Sequence, residues 1–263
     1  MTALFTAAEL KSVLNHPHVR ILDASYNQPP AAEGIPGAVD FDIDDIANKG
    51  APFAHTVPTA EVFAAKVGAL GISNEDLVVI YDRKGLSMAA ARAWWMFRLF
   101  GHENVRVLDG GLPAWIAAGF ATAEKTATPK PAVFTAKMNN ALFRQVEQVA
   151  GNLLRKEFSL IDARDAQRFE AGHIPDSFNI PYATLITAAG SLKPRAELEK
   201  AFAGAHIAPQ KKITCSCGSG VTACVLALAL FELGNKDAAV YDGSWTEWSS
   251  LPVLPKMTGV RAS

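Results

Sequence analysis

The sequence predicts an α/β protein made of two tandem copies of one unit, each a mostly parallel sheet flanked by helices. Three observations carry that prediction. Short apolar strand patterns alternate with helical ones along the whole chain. Four landmarks recur in the same order in both halves. In each half, one of those landmarks reads as a strand, a loop and a helix start.

The first landmark is a short apolar strand ending in aspartate, Arg20-Ile-Leu-Asp-Ala-Ser25, echoed by Ser159-Leu-Ile-Asp-Ala-Arg164. Next come turn-forming stretches, Gly34-Ile-Pro-Gly37 and Gly172-His-Ile-Pro175. Helical patterns follow over Thr59–Leu70 in the first half and Ala196–Ala203 in the second. A β-prone run then leads into a loop and a second helix: Leu77 to Asp82 before Ser87–Phe100, and Lys212 to Cys217 before Val221–Leu233, which Gly234 closes. The last landmark is a strand with a glycine turn and tryptophan, Val105 to Trp115 and Ala238 to Trp248. The polar, proline-bearing stretch from Thr122 to Ala132 reads as a linker. The expected division is therefore residues 1–124, a linker over 125–140, and residues 141–263.

At 263 residues and 49% hydrophobic, the chain has ample material for buried cores. Its net charge of −1, with no basic cluster interleaved with aromatics, argues against nucleic-acid binding. No apolar run reaches the roughly 18 residues of a membrane span, and the N-terminus lacks a charged leader pattern, so no membrane association and a cytoplasmic location are expected. Three cysteines cannot all pair, which agrees with a reducing compartment. A monomer is the expectation for two units fused in one chain.

The chemistry concentrates at Cys217-Gly-Ser-Gly-Val-Thr222. Cys217 sits between a strand and a helix N-terminus, where freed backbone N–H groups and the helix dipole favour an anion and hence the thiolate. Gly218 and Gly220 allow the backbone to curl around the sulfur. Cys215 falls inside the strand and Cys224 inside the apolar helix, both positions of ordinary packing. A Cys215/Cys217 metal or redox pair is the alternative, but no Cys/His cluster elsewhere completes a zinc site. Aligning the halves without gaps sets Asp82 opposite Cys217 and Gly85 opposite Gly220. The first unit thus lacks the thiol, and the second is expected to be catalytic.

Gly172-His-Ile-Pro175, Asp242-Gly-Ser-Trp245 and Cys217-Gly-Ser-Gly-Val-Thr222 together resemble the tandem-domain rhodanese-like sulfurtransferases, over nearly the entire chain. The loop is most similar to that of the 3-mercaptopyruvate sulfurtransferases; thiosulfate sulfurtransferases usually carry basic residues where this chain has Gly218 and Ser219. The resemblance implies a persulfide on Cys217, cradled by Gly218, Gly220, Val221 and Thr222, with no cofactor and no metal. It implies a small-molecule sulfur donor and a thiol acceptor such as thioredoxin or glutathione, or cyanide. It also implies a proton-handling set of Ser219, His55 and Asp44, with Asp42 the rival to Asp44, and carboxylate binding by Arg168. The family's second carboxylate-binding arginine has no counterpart, because only Glu170 and Ala171 separate Phe169 from Gly172. Arg164 is the nearby guanidinium that could substitute for it. Two further readings stand beside this one: a thiosulfate:cyanide sulfurtransferase, and a persulfide relay between proteins.

Overall fold

The computed structural model describes residues 2–86, 88–125 and 129–259. The chain divides into two compact units, and each half contributes one short segment to the other's unit. The first unit comprises Met1–Asn48, Val57–Asn139 and Ala188–Leu192; the second comprises Lys49–Thr56, Asn140–Thr187 and Lys193–Ser263.

In the first unit the elements run β1 (Leu4–Phe5), α1 (Ala7–Val13), β2 (Val19–Asp23), β3 (Glu33–Gly34), β4 (Ala38–Asp40), α2 (Ile43–Ile46), α3 (Ala60–Ala69), β5 (Leu77–Tyr81), α4 (Met88–Leu99), β6 (Val105–Leu108), α5 (Gly111–Ala117) and β7 (Ala123–Glu124). The second continues with β8 (Phe143–Arg144), α6 (Val146–Arg155), β9 (Ser159–Asp162), α7 (Ala166–Ala171), β10 (Phe178–Asn179), α8 (Arg195–Gly204), β11 (Ile213–Ser216), α9 (Ala223–Glu232), β12 (Ala239–Tyr241) and α10 (Ser244–Ser250). The two five-stranded sheets have the orders β1-β6-β5-β2-β4 and β8-β12-β11-β9-β10, with every pairing in them parallel, while β3 and β7 form a separate antiparallel pair. The topology is the same in both units, as the repeated landmarks require. The α/β class and the duplicated parallel sheet expected from the sequence are therefore observed.

Local sequence explains the elements. Thr59 caps α3, its hydroxyl accepting the Val62 N–H at 3.4 Å, and Thr6 and Glu9 form a reciprocal capping box on α1. Helices α4 and α9 are buried all round, which suits their apolar runs packed between sheet and neighbouring elements. The expected helix over Ser87–Phe100 is seen as α4 from Met88; Ser87 lies outside the described residues. Residues 129–139, within the stretch expected to be a linker, pack along the first unit: Ala132 N–H donates to Gly68 O at 2.8 Å and Lys137 N–H to Phe100 O at 3.0 Å. Residues 126–128 of that stretch lie outside the described residues. No helix among the described residues is long and apolar enough to cross a membrane.

The two strand-ending aspartates have one job in both units. Asp23 accepts from Lys125 and, at 3.2 Å, from the Tyr81 hydroxyl. Asp162 takes Nε and Nη2 of Arg164 in a fork. Each carboxylate is buried and paired, and each accepts the N–H two residues on, Ser25 at 3.1 Å and Arg164 at 2.9 Å, which ties the strand end to the loop beyond it.

One titratable group in the first core has a measurable consequence. Burial beside Phe97 and Phe134 holds the His102 imidazole below its ordinary value. An unfolded imidazole takes a proton near pH 6.5, whereas the folded one resists until lower pH, so stability falls as the pH drops below about 6.5. Chemical denaturation across that range should show a shallower acid slope for His102→Gln than for the wild type, whatever the substitution costs at neutral pH. Identical slopes would contradict this reading.

Candidate active site

Strand β11 lies inside the second sheet, paired on one side with β9 and on the other with β12, so that Ser216 sits level with Asp162. Cys217 is the first residue past its C-terminal end, the side of a parallel α/β sheet where ligands bind. The following turn delivers the chain into α9 at Ala223. Gly220 must be glycine: its φ is +76°, and a Cβ there would lie 2.5 Å from the Asp242 carbonyl oxygen. Gly218 carries no such constraint, since a Cβ there would meet nothing within 4 Å. Of the two glycines expected to allow the curl, only Gly220 is held to that residue type by its backbone and surroundings.

Two bonds from the start of α10 fix the loop from below. Trp245 N–H donates to Cys217 O at 3.0 Å and Thr246 N–H to Gly218 O at 2.9 Å, with the Thr246 hydroxyl adding a 2.7 Å bond to the same Gly218 oxygen. Cys217 N–H donates to the Ser244 hydroxyl at 3.0 Å, and that hydroxyl donates to Tyr241 O at 2.7 Å. Ser244 holds φ at +50°, a left-handed conformation costing a non-glycine residue about 1 kcal/mol or more. Among the described residues, the N–H groups of Gly218, Ser219, Val221 and Thr222 have no acceptor in the protein. Four adjacent donors beside a cysteine make a cradle for an anion.

The other two cysteines are packing residues in their setting. Cys215 is fully buried in β11 and burial pushes its thiol well up, which keeps it protonated and unreactive. Cys224 is buried in α9, its thiol donating to Gly220 O at 3.3 Å. All three cysteines are free, and among the described residues no group of three or more His, Cys, Asp or Glu side chains is placed to hold a metal.

The segment Lys49–Thr56 brings His55 to this loop. His55 Nδ1 lies 3.0 Å from Ser219 Oγ, with both side chains half-buried, and His55 holds φ at +62°. A left-handed, non-glycine residue hydrogen-bonded into a loop beside a thiol is the kind of stored strain found at reacting sites. The pairing of a hydroxyl with an imidazole supplies a group that can pass a proton in either direction.

Asp44 belongs to the first unit, half-buried in α2. Burial, with the Asp44 charge adding to it, pushes the neighbouring Tyr26 hydroxyl up. Its sequence rival Asp42 is the N-cap of α2, accepting Asp44 N–H at 2.8 Å, so that carboxylate serves the fold.

The arginines separate cleanly. Arg168 on α7 leaves 75% of its side chain exposed and lies 3.4 Å from Asp165 in an i,i+3 pair worth little at a surface. It can exchange that partner for a substrate carboxylate at small cost. Arg164 cannot. Its guanidinium is 5% exposed, forked onto Asp162, bonded to Gly172 O at 2.8 Å and stacked over Trp245 at 4.9 Å. The idea that Arg164 replaces the missing carboxylate ligand is corrected: it braces α7 and Trp245. Sequence reading also missed how Trp245 and Thr246 seat the loop; Asp242-Gly-Ser-Trp245 stood out as a repeated landmark, but its contact with Cys217 depends on a fold-level approach of α10.

The first unit shows the same frame without the thiol. Leu112 N–H donates to Asp82 O at 2.9 Å, as Trp245 N–H does to Cys217 O. Asp82 Oδ1 accepts the Lys84 N–H at 2.7 Å and Gln28 Nε2 at 3.1 Å. A side-chain carboxylate thus takes a donor of its own loop.

Comparison with known proteins agrees with this architecture. The Rhodanese-like domain matches twice, over residues 6–118 and 145–251. The thiosulfate/3-mercaptopyruvate sulfurtransferase 1, mitochondrial, of Arabidopsis thaliana is 40% identical, with 94% of this chain and 76% of that protein covered. The thiosulfate sulfurtransferase of Gallus gallus is also 40% identical, over 88% of this chain and 86% of that one. The crystal structure of SseA from Escherichia coli, a 3-mercaptopyruvate sulfotransferase, superimposes with a TM-score of 0.86 at 34% identity, covering 93% of this chain and 99% of that one. With two rhodanese-like domains in tandem, the chain belongs to the rhodanese-like family and is a sulfurtransferase of the 3-mercaptopyruvate/thiosulfate type.

Proposed function

We propose that the donor is 3-mercaptopyruvate and that sulfur travels as a persulfide on Cys217. The Cys217 thiolate attacks the substrate sulfur; an S–S bond forms, the C–S bond breaks, and its electron pair leaves on carbon as the enolate of pyruvate. The enolate takes a proton to become pyruvate, and the sulfur stays on Cys217 as Cys–S–SH or its anion. A thiol such as thioredoxin or glutathione, or cyanide, then removes the outer sulfur and restores the thiol. Ser219 and His55 deliver the proton, with Asp44 as the orienting carboxylate that the family resemblance suggests. Arg168 grips the 2-oxo acid carboxylate. The N–H groups of Gly218, Ser219, Val221 and Thr222 stabilise the thiolate and persulfide anions. Three free, buried cysteines suit work in a reducing compartment such as the cytoplasm.

The observation that carries this reading over thiosulfate is the neutral loop with a proton donor set into it. Cys217–Thr222 contains no Lys or Arg, while Ser219 is hydrogen-bonded to His55. Sulfite leaves thiosulfate as a stable anion and needs no proton; a pyruvate enolate does. A thiosulfate dianion gains from nearby cations, and one such contact is worth about 1.4 kcal/mol, or tenfold. Specificity constants for the two donors, with pyruvate release measured alongside, should favour 3-mercaptopyruvate by about tenfold or more. A Cβ at Gly218 would meet nothing within 4 Å, so a side chain can start there, and Gly218→Arg should move the ratio about tenfold toward thiosulfate. Faster turnover with thiosulfate in the wild type would transfer the assignment to that donor. Rapid persulfide transfer only from another protein would make the chain a relay.

A further inference from the structure

The first unit holds a counterpart of Ser244 that can be compared with it. The repeat sets Gly111 opposite Ser244, and the two hold nearly the same left-handed backbone, with φ of +56° and +50°. Both precede the residue whose N–H binds the carbonyl at the loop's first position, Asp82 in one unit and Cys217 in the other. Where there is no thiol, the position is glycine, the residue that adopts this conformation without strain. Where there is a thiol, the chain accepts a strained serine, wholly buried, whose hydroxyl has one use for its acceptor and one for its proton: Cys217 N–H and Tyr241 O.

We propose that Ser244 is a positioning residue for the nucleophile, setting the backbone of Cys217 so that its sulfur faces the N–H groups of the loop. Cys217 is buried, so its amide must find an acceptor. With the Ser244 hydroxyl in place, the amide is turned down toward β12 and α10, and the loop beyond is free to curl. Without it, the amide seeks another acceptor, the loop's most reactive residue rotates, and the thiolate loses register with its donors. The strain at Ser244 is the cost of that fixed geometry. The inference deepens the persulfide reading and rests on Cys217 being the nucleophile.

The test exploits the mismatch between stability and reactivity. Ser244→Gly relieves the left-handed strain and removes the hydroxyl, whereas Ser244→Ala keeps the strain and removes the hydroxyl. For both variants the expected result is a fall of about 10- to 100-fold in kcat for sulfur transfer, with KM nearly unchanged because Arg168 is untouched. The rate of iodoacetamide alkylation at neutral pH, mapped to Cys217 by peptide mass spectrometry, should fall in parallel. Ser244→Gly should keep its Tm within about 3 °C of the wild type, and Ser244→Ala should be the less stable of the two. Wild-type kcat and wild-type alkylation in Ser244→Gly would overturn the proposal. So would a Tm loss in Ser244→Gly large enough to account for the lost activity, since that makes Ser244 a residue of the fold. Cys217→Ser is assayed in parallel: if it retains activity, the failure lies with the nucleophile assignment and not with Ser244.

Discussion

Replacing Cys217 by serine should abolish sulfur transfer, lowering kcat/KM by at least about 10³-fold with either donor. A serine hydroxyl stays protonated at neutral pH and cannot form the S–S bond that carries the sulfur, so the loop's donors have no anion to stabilise. The neighbouring thiols set the control. Cys215→Ala and Cys224→Ala should each retain activity within severalfold, because Cys215 is sealed in β11 with its thiol pushed up by burial, and Cys224 is sealed in α9. Cys224→Ala should cost some stability through the lost S–H bond to Gly220 O and the small void it leaves. Steady-state assays on the three variants check the prediction. Activity surviving in Cys217→Ser while Cys215→Ala is dead would move the nucleophile to Cys215.

Removing the imidazole has the second-largest effect, and its size should depend on the donor. His55→Ala and Ser219→Ala should each lower kcat with 3-mercaptopyruvate by about 10²- to 10⁴-fold, the usual worth of a positioned proton donor. The two side chains are hydrogen-bonded at 3.0 Å, so if they serve one relay the double variant should be little worse than either single one. With thiosulfate the same substitutions should matter far less, since sulfite departs without a proton. Equal losses with both donors would mean that His55 and Ser219 merely shape the loop. No loss with either would remove the proton relay from the mechanism.

Much of the fold was legible in the sequence because the chain repeats itself. Strand patterns around Asp23 and Asp162, and helical runs such as Thr59–Leu70, are local properties of period and capping, and duplication doubles the signal. The exchanged segments were not legible. Nothing in Lys49–Thr56 or Ala188–Leu192 announces that each belongs to the other half's unit, because that depends on where the chain turns after α2 and before α8. At the site, Cys217 could be read from loop chemistry, and Ser219 and His55 only through family resemblance. Arg164 and Ser244 could not be assigned this way: one looked like a spare substrate ligand and the other like part of a repeated turn. Burial and a specific partner decide their roles, and both are fixed only by tertiary packing.

The most direct test is intact-protein mass spectrometry after brief incubation with 3-mercaptopyruvate or with thiosulfate, followed by peptide mapping. The expected result is a gain of one sulfur atom on the peptide bearing Cys217, with pyruvate released in equal amount, and loss of that added sulfur when a thiol acceptor is supplied. Pyruvate formed with no sulfur added at Cys217, or sulfur found on Cys215 or Cys224 instead, would contradict a persulfide carried by Cys217.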